Sequence, residues 1–285
     1  MQSAVNAIEV KGLTKDYGDF KLDNVDLALP EGYIMGIIGE NGAGKTTLIK
    51  AMLNIIKYRK GKVTLLGSEM DGRQRDIKEH IGAVLDECCF PEEMNAVDVE
   101  RFMSRIYETW NSEDFRSYCG RFLLSEKKKI KEYSKGMKMK LSIAAALSHD
   151  SRLLILDEAT SGLDPVVRDE MLEIFREFIQ EENRSVLISS HILSDLEKIC
   201  DYITFMHRGK IIFSENKDIL LEKYGIAKVS KEAFDEMGRE SVIAYRENRF
   251  GIEALVKREK LREGIPVDQA TIEDIMVYYI KEAGK

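Results

Sequence analysis

The stretch Tyr33-Ile34-Met35-Gly36-Ile37-Ile38-Gly39-Glu40-Asn41-Gly42-Ala43-Gly44-Lys45-Thr46-Thr47 decides the fold. Its first six residues form an apolar run of the kind that builds a strand buried on both faces. The next nine fit G-x-x-x-x-G-K-[ST], after which Leu48, Ile49, Met52, Leu53 and Ile56 recur at helical spacing. Strand, glycine-rich turn and helix in that order make a phosphate cradle. The glycines let successive backbone N–H groups converge on phosphate oxygens in front of a helix N-terminus. Lys45 is placed to reach the β- and γ-phosphates, and the Thr46 hydroxyl to ligate Mg2+. Asn41, Gly42, Ala43, Gly44 and Thr47 complete the candidate binding loop.

Around this loop the pattern alternates between strands and helices. Apolar residues alternate with polar ones at Ile8 and Val10, and again at Val25, Leu27 and Leu29 before the Pro30-Glu31-Gly32 turn. Further strands are predicted at Lys62–Leu66, Ile81–Leu85, Leu153–Leu156 and Ser185–Ser190, with a hairpin Tyr202–Met206/Lys210–Phe213 around Arg208-Gly209. Such an alternation predicts an α/β fold with a largely parallel sheet. From about residue 88 to 150 strand signals give way to helical periodicity (Val97, Val99, Phe102, Met103, Ile106, Tyr107), which reads as a helical insertion. The polar stretch Ser214-Glu215-Asn216-Lys217-Asp218 divides the chain into a first domain, residues 1–215, and a small mixed α/β tail, residues 216–285, ending in the helix Ile272–Lys281.

Composition limits the function. The 285 residues carry 43 Lys and Arg against 50 Asp and Glu, a net charge of −7. That balance argues against a protein that works by neutralising nucleic-acid phosphates. Cys88, Cys89, Cys119 and Cys200 include no C-x-x-C pair and predict reduced thiols, not a disulfide framework. The first seven residues lack the basic start and apolar core of a signal peptide, and no apolar run approaches a bilayer span. A membrane role is therefore expected to come through a partner.

A second motif is Leu153-Leu154-Ile155-Leu156-Asp157-Glu158. Four apolar residues set a strand in the core, and two carboxylates emerge at its carboxyl end, where open α/β sheets bind ligands. Asp157 suits Mg2+, directly or through water, and Glu158 suits the task of polarising an attacking water as general base. Beside a phosphate loop the pair completes a nucleotide-hydrolysis site.

The segment Tyr133-Ser134-Lys135-Gly136-Met137 precedes that strand and opens a helix. It resembles the signature Leu-Ser-Gly-Gly-Gln of ABC ATPases: Ser134 and Gly136 match, while Tyr133, Lys135 and Met137 depart. A hydroxyl and a glycine at a helix start fit an anion site, and a serine there equally fits an ordinary N-cap. The order of motifs favours the resemblance. Ser161-Gly162-Leu163-Asp164 looks like the family's D-loop, His191 follows a strand like its switch histidine, and Tyr17 sits where the family stacks an aromatic on adenine. His80, His149 and His207 have no such context and read as surface or core histidines. Where the family commonly has a Q-loop glutamine this chain has Asp86-Glu87, an acid familiar in the ATPase subunits of type-2 exporters and a further candidate metal ligand.

The resemblance covers roughly residues 5–215 and implies an α/β P-loop NTPase fold of the RecA-like, ABC type. It also implies an N-terminal antiparallel β part, the helical insertion and a small α+β tail. By the same resemblance the chain is an ATPase using ATP and Mg2+, with Lys45, Glu158 and His191 catalytic. Two copies, or a paired ATPase, are implied to close head-to-tail so that Ser134 and Gly136 complete the opposite site, with Asp164 of the D-loop a further nucleotide-binding residue. The implied setting is the cytoplasmic face of a membrane, with integral permease subunits as partners and export as the direction. A soluble ABC-type nucleic-acid factor and a non-hydrolysing regulatory module are the rival readings. Seven lysines among residues 127–140 read as a solvated helix face before an anion-attracting one, and Met94, Phe102, Met103, Ile106, Tyr107 and Trp110 as part core, part exposed groove.

Overall fold

The computed structural model describes residues 5–71, 75–262 and 264–283. The chain opens with β1 (Asn6–Asp16) and β2 (Lys21–Pro30), an antiparallel pair. It then runs through β3 (Ile34–Ile38), β4 (Lys60–Leu65), β5 (Ser68–Glu69), β6 (Ile81–Val84), β7 (Leu153–Asp157), β8 (Ser185–Ser189), β9 (Tyr202–His207) and β10 (Lys210–Asn216). β2, β1, β4 and β5 make an antiparallel sheet in that order. The second sheet has the order β10-β9-β3-β8-β7-β6, with β3 parallel to β8 and β9, and β7 parallel to β6 and β8. Every residue of β3, β7 and β8 is buried, as expected for strands covered by other elements on both faces.

The helix Lys45–Met52 joins the two sheets into one core. Leu48, Ile49 and Met52 pack with Val10, Leu27 and Leu29 of the first sheet and with Met35, Ile155 and Leu187 of the second. β7 and β8 differ from the sequence expectation by one residue each, the first ending at Asp157 and the second at Ser189. The shift places Glu158 just outside the strand.

The helical insertion carries the helices Ala96–Met103, Ser112–Arg121 and Lys135–Leu147, capped by Asn95, Asn111 and Ser134. Phe115, Cys119 and Phe122 form its interior, and burial pushes the Cys119 thiol up to about 12. Among the described residues none of the four cysteines forms a disulfide. The candidate groove residues divide: Phe102 and Ile106 are exposed, Tyr107 stacks on His149 at 4.0 Å, and Trp110 tilts against Phe115 at 5.2 Å. Five of the seven clustered lysines are held by carboxylates: Lys129 and Lys131 by Glu93, Lys135 by Asp86, Lys138 by Glu92 and Lys140 by Glu170. Hydrogen bonds from Lys129 and Lys131 lower the Glu93 carboxyl to about 2. Among the described residues no helix is long and apolar enough to cross a membrane.

The backbone divides into two compact units, Met1–Ile212 and Phe213–Lys285. Across the polar stretch 214–218 the chain leaves β10, and Asn216 caps the helix Lys217–Lys223. The second unit has an antiparallel sheet of β11 (Tyr224–Val229), β12 (Val242–Asn248), β13 (Gly251–Lys257) and β14 (Val267–Gln269), ordered β12-β13-β11-β14. Ala227, Met237, Ile252, Ala254 and Val256 fill its core, and the helix Ile272–Ala283 buries Ile272, Ile275 and Tyr278.

Gly82 lets β6 lie directly against the end of the helix Lys135–Leu147. A Cβ there would fall 2.7 Å from the Ala146 carbonyl oxygen and 2.5 Å from Leu154 Cδ2. Gly82→Ala is expected to destabilise the fold by about 1–3 kcal/mol, the usual cost of overpacking, read as a lower midpoint of thermal unfolding. His149 is buried, donates from Nδ1 to the Glu79 carbonyl at 2.8 Å, and burial holds its imidazole below the usual 6.5. The unfolded chain takes up this proton first, so the stability His149 contributes is complete above pH 6.5 and falls as the pH drops below it. In urea unfolding at several pH values, His149→Gln should flatten the acid side of the stability curve; equal slopes for the two proteins would count against it.

Candidate nucleotide site

β3 ends where the loop 39–44 turns back into the helix Lys45–Met52. Gly44 takes φ +110°, and a Cβ there would lie 2.8 Å from Phe20 Cζ and 2.9 Å from Leu22 Cδ2. Only glycine satisfies both the backbone and the packing behind it. The helix start has no side-chain cap, so its first N–H groups are left for a ligand. Lys45 is buried, and its ammonium donates to the Gly39 carbonyl at 2.8 Å and stands 3.6 Å from Glu158 Oε1.

The carboxylates come from the end of β7. Asp157 is fully buried, its Oδ1 accepts from Ser189 Oγ at 2.6 Å, and its Oδ2 has no hydrogen-bond partner among the described residues. Glu158 adopts φ +54°, a left-handed conformation rare for a side chain with a Cβ. Its N–H donates to Ser189 Oγ and to the Ser189 carbonyl, both at 3.1 Å. Its Oε2 accepts from His191 Nδ1 at 2.6 Å. Ser189 thus ties both acids to β8, while Lys45 and His191 flank the Glu158 carboxylate. One buried carboxylate oxygen without a partner and the exposed Thr46 hydroxyl are hard oxygen donors of the kind that suits Mg2+.

Lys45, Thr46, Glu158 and His191 face an open cleft of about 640 Å³, while Asp157 and Ser189 lie buried behind its lining. Of the candidate residues, Asn41 to Thr47, Asp86, Glu158 and His191 line it, joined by Phe20, Lys135 and Ser161. Tyr17 does not: its ring is half exposed beneath the Lys15 ammonium, at 4.7 Å, while Phe20 faces the loop. The two aromatics bracket one tight turn, closed by Tyr17 N–H to the Phe20 carbonyl at 2.9 Å. Alternation alone does not say which of them turns inward. Ser134 caps its helix by accepting from the Met137 N–H at 3.2 Å, and Asp164 caps the helix Pro165–Phe178 through the Val166 and Val167 N–H groups. Ser134, Gly136 and Asp164 stand outside the cleft lining. Ser189 and Phe20 are the parts that sequence reasoning missed.

The profile of the ABC transporter family matches residues 22–161, the span from the first sheet to the D-loop-like turn. The lantibiotic transport ATP-binding protein SrtF of Streptococcus pyogenes is 34% identical over 214 residues, 74% of this chain and 91% of that one. The chain belongs to the ABC transporter family. It is an ATP-binding, ATP-hydrolysing transport subunit. The bacitracin transport ATP-binding protein BcrA of Bacillus licheniformis is 35% identical over 210 residues, 72% of this chain and 68% of that protein. Among solved structures, an ATP-binding subunit of an ABC transporter superposes with a TM-score of 0.68 at 26% identity, over 74% of this chain and 90% of its own. Six-stranded sheet, phosphate loop and helical insertion are thus those of an ABC ATPase cassette.

In this ATPase Ser189 holds two acids with one hydroxyl, which makes its removal a test of the arrangement. A hydrogen bond to a charged group is worth about 1.5–3 kcal/mol, so Ser189→Ala is expected to lower kcat roughly ten- to hundredfold. Steady-state phosphate release, with nucleotide binding measured separately, checks whether the loss falls on turnover and not on affinity.

Proposed function

We propose that the cleft is the ATP site and that Glu158 is the base of hydrolysis. The observation that carries this reading is the position of Glu158: its carboxylate lies between the His191 imidazole and the Lys45 ammonium, beside the phosphate loop. Residues 41–47 hold the phosphates through backbone N–H groups, and Lys45 leaves the Gly39 carbonyl for the terminal phosphates. Glu158 orients the attacking water and takes its proton. His191, hydrogen-bonded to Glu158 and half exposed, holds that carboxylate in place and meets the γ-phosphate. Thr46 and Asp157 are the residues that would hold Mg2+, the free Asp157 oxygen being the feature that fits it. When bound, the ion offsets charge on the β- and γ-phosphate oxygens. Phe20, with Tyr17 at the outer side of the same turn, supplies the apolar surface for the base.

Each chain carries one phosphate loop and one signature-like segment. Ser134, Gly136 and Asp164 stand outside the cleft of their own chain, which supports a head-to-tail homodimer in which they complete the partner's site. Such a pair acts on permease subunits at the cytoplasmic face of the membrane. Relatives named for lantibiotic and bacitracin transport support a peptide antibiotic as the transported class, moved outward. The intact set Lys45, Asp157, Glu158 and His191 favours a working ATPase over a regulatory module that only binds nucleotide.

Glu158→Gln keeps the shape and removes the base. Phosphate release should fall at least about a hundredfold, the lower range for general base catalysis, while ATP binding persists. Light scattering should then find a dimer with ATP and a monomer without it. Undiminished hydrolysis would remove Glu158 from the role, and an apo dimer would remove the nucleotide-driven closure.

A further inference from the structure

Asp86 and Lys135 both part from the family pattern, stand 49 residues apart in sequence, and meet in space: the Lys135 ammonium donates to Asp86 Oδ1 at 3.1 Å. Their side chains come from different parts of the first unit, the loop after β6 and the first residue of the helix Lys135–Leu147. A lysine at a helix start opposes the helix dipole, and the first turn of this helix holds no acid to offset it. Asp86 is the group that does so. The Lys135 stem lies along the turn after Ser161, its Cδ and Cε 3.6 and 3.9 Å from where a Gly162 side chain would begin.

Position separates this pair from the others on the same surface. Lys129, Lys131 and Lys138 bind Glu93 and Glu92, acids outside the cleft lining, whereas Asp86 and Lys135 both line the cleft with Lys45, Glu158 and His191. A triphosphate entering there competes with Asp86 for the Lys135 ammonium and repels the Asp86 carboxylate. We propose that the Asp86–Lys135 ion pair is a latch on the cleft which ATP binding must open, making Lys135 a positioning residue for nucleotide affinity. The proposal rests on the cleft being the ATP site.

The test is a double-mutant cycle on the full chain, with Asp86→Asn, Lys135→Gln and both together. Affinity for N-methylanthraniloyl-ATP is measured by fluorescence in EDTA, where any role of Asp86 toward a metal is silent. If binding opens the latch, its free energy counts once in each single variant but only once in the double. The product of the two single-variant affinity ratios should then exceed the ratio for the double by about two- to fivefold, the range of an exposed ion pair. The excess should shrink toward one in 1 M NaCl, where such pairs are screened, a response that altered packing would not give. Equality of product and double ratio at low salt overturns the latch. Lys45→Ala, measured beside them, separates the two readings: if it abolishes binding while the cycle is additive, the ATP site stands and the latch falls. If Lys45→Ala leaves binding unchanged, the site and the latch fall together.

Discussion

Asp157 is a carboxylate with no exposed surface, at the carboxyl end of a strand buried on both faces. A buried carboxylate is costly unless its oxygens find partners, and here one is paired while the other is left toward a ligand. One oxygen takes the Ser189 hydroxyl at 2.6 Å, and that same hydroxyl accepts the Glu158 N–H. The arrangement depends on β7 and β8 being adjacent and parallel, with Asp157 opposite Ser189 in register. Glu158 then leaves the strand in a left-handed turn, its carboxylate beside the Lys45 ammonium and the His191 ring. Loop, acids and histidine therefore share one edge of the sheet, set by strand order and register.

Much of this was legible in the sequence because it rests on short-range pattern. Runs at Tyr33–Ile38, Leu153–Leu156 and Ser185–Ser190 marked the buried strands, and the glycine spacing around Lys45 marked the loop. The parts that were not legible depend on contacts between distant segments. Ser189 reads as an ordinary strand-end serine until β7 lies beside it, 32 residues away in sequence. Phe20 and Tyr17 bracket one turn, and only packing against Gly44 and Leu22 decides which faces the loop. The Asp86–Lys135 pair spans 49 residues and is invisible to any local reading.

The lysine-rich stretch illustrates how misleading a charge run is when read along the chain alone. In the fold Glu92, Glu93, Asp86 and Glu170 come to it from other segments, so much of its positive charge is already answered. Pairs this exposed contribute little each, and salt weakens them further. Four of these pairs link the loop after β6 to the helical insertion, alongside the backbone hydrogen bonds from Ile130 to Met94 and from Lys131 to Glu92.

The helix Lys135–Leu147 is held differently at its two ends. Its C-terminal end sits on Gly82 with no room to slide, since the Ala146 carbonyl already touches the space a single methyl would need. Its N-terminal end sets Gly136 against Leu163, 3.2 Å from where a Gly136 Cβ would begin, and carries the exposed pairs Lys135–Asp86 and Lys138–Glu92. Thirteen residues make an arm of about 20 Å. A tilt of about 10° about the fixed end would therefore displace the first residues of this helix by about 3.5 Å.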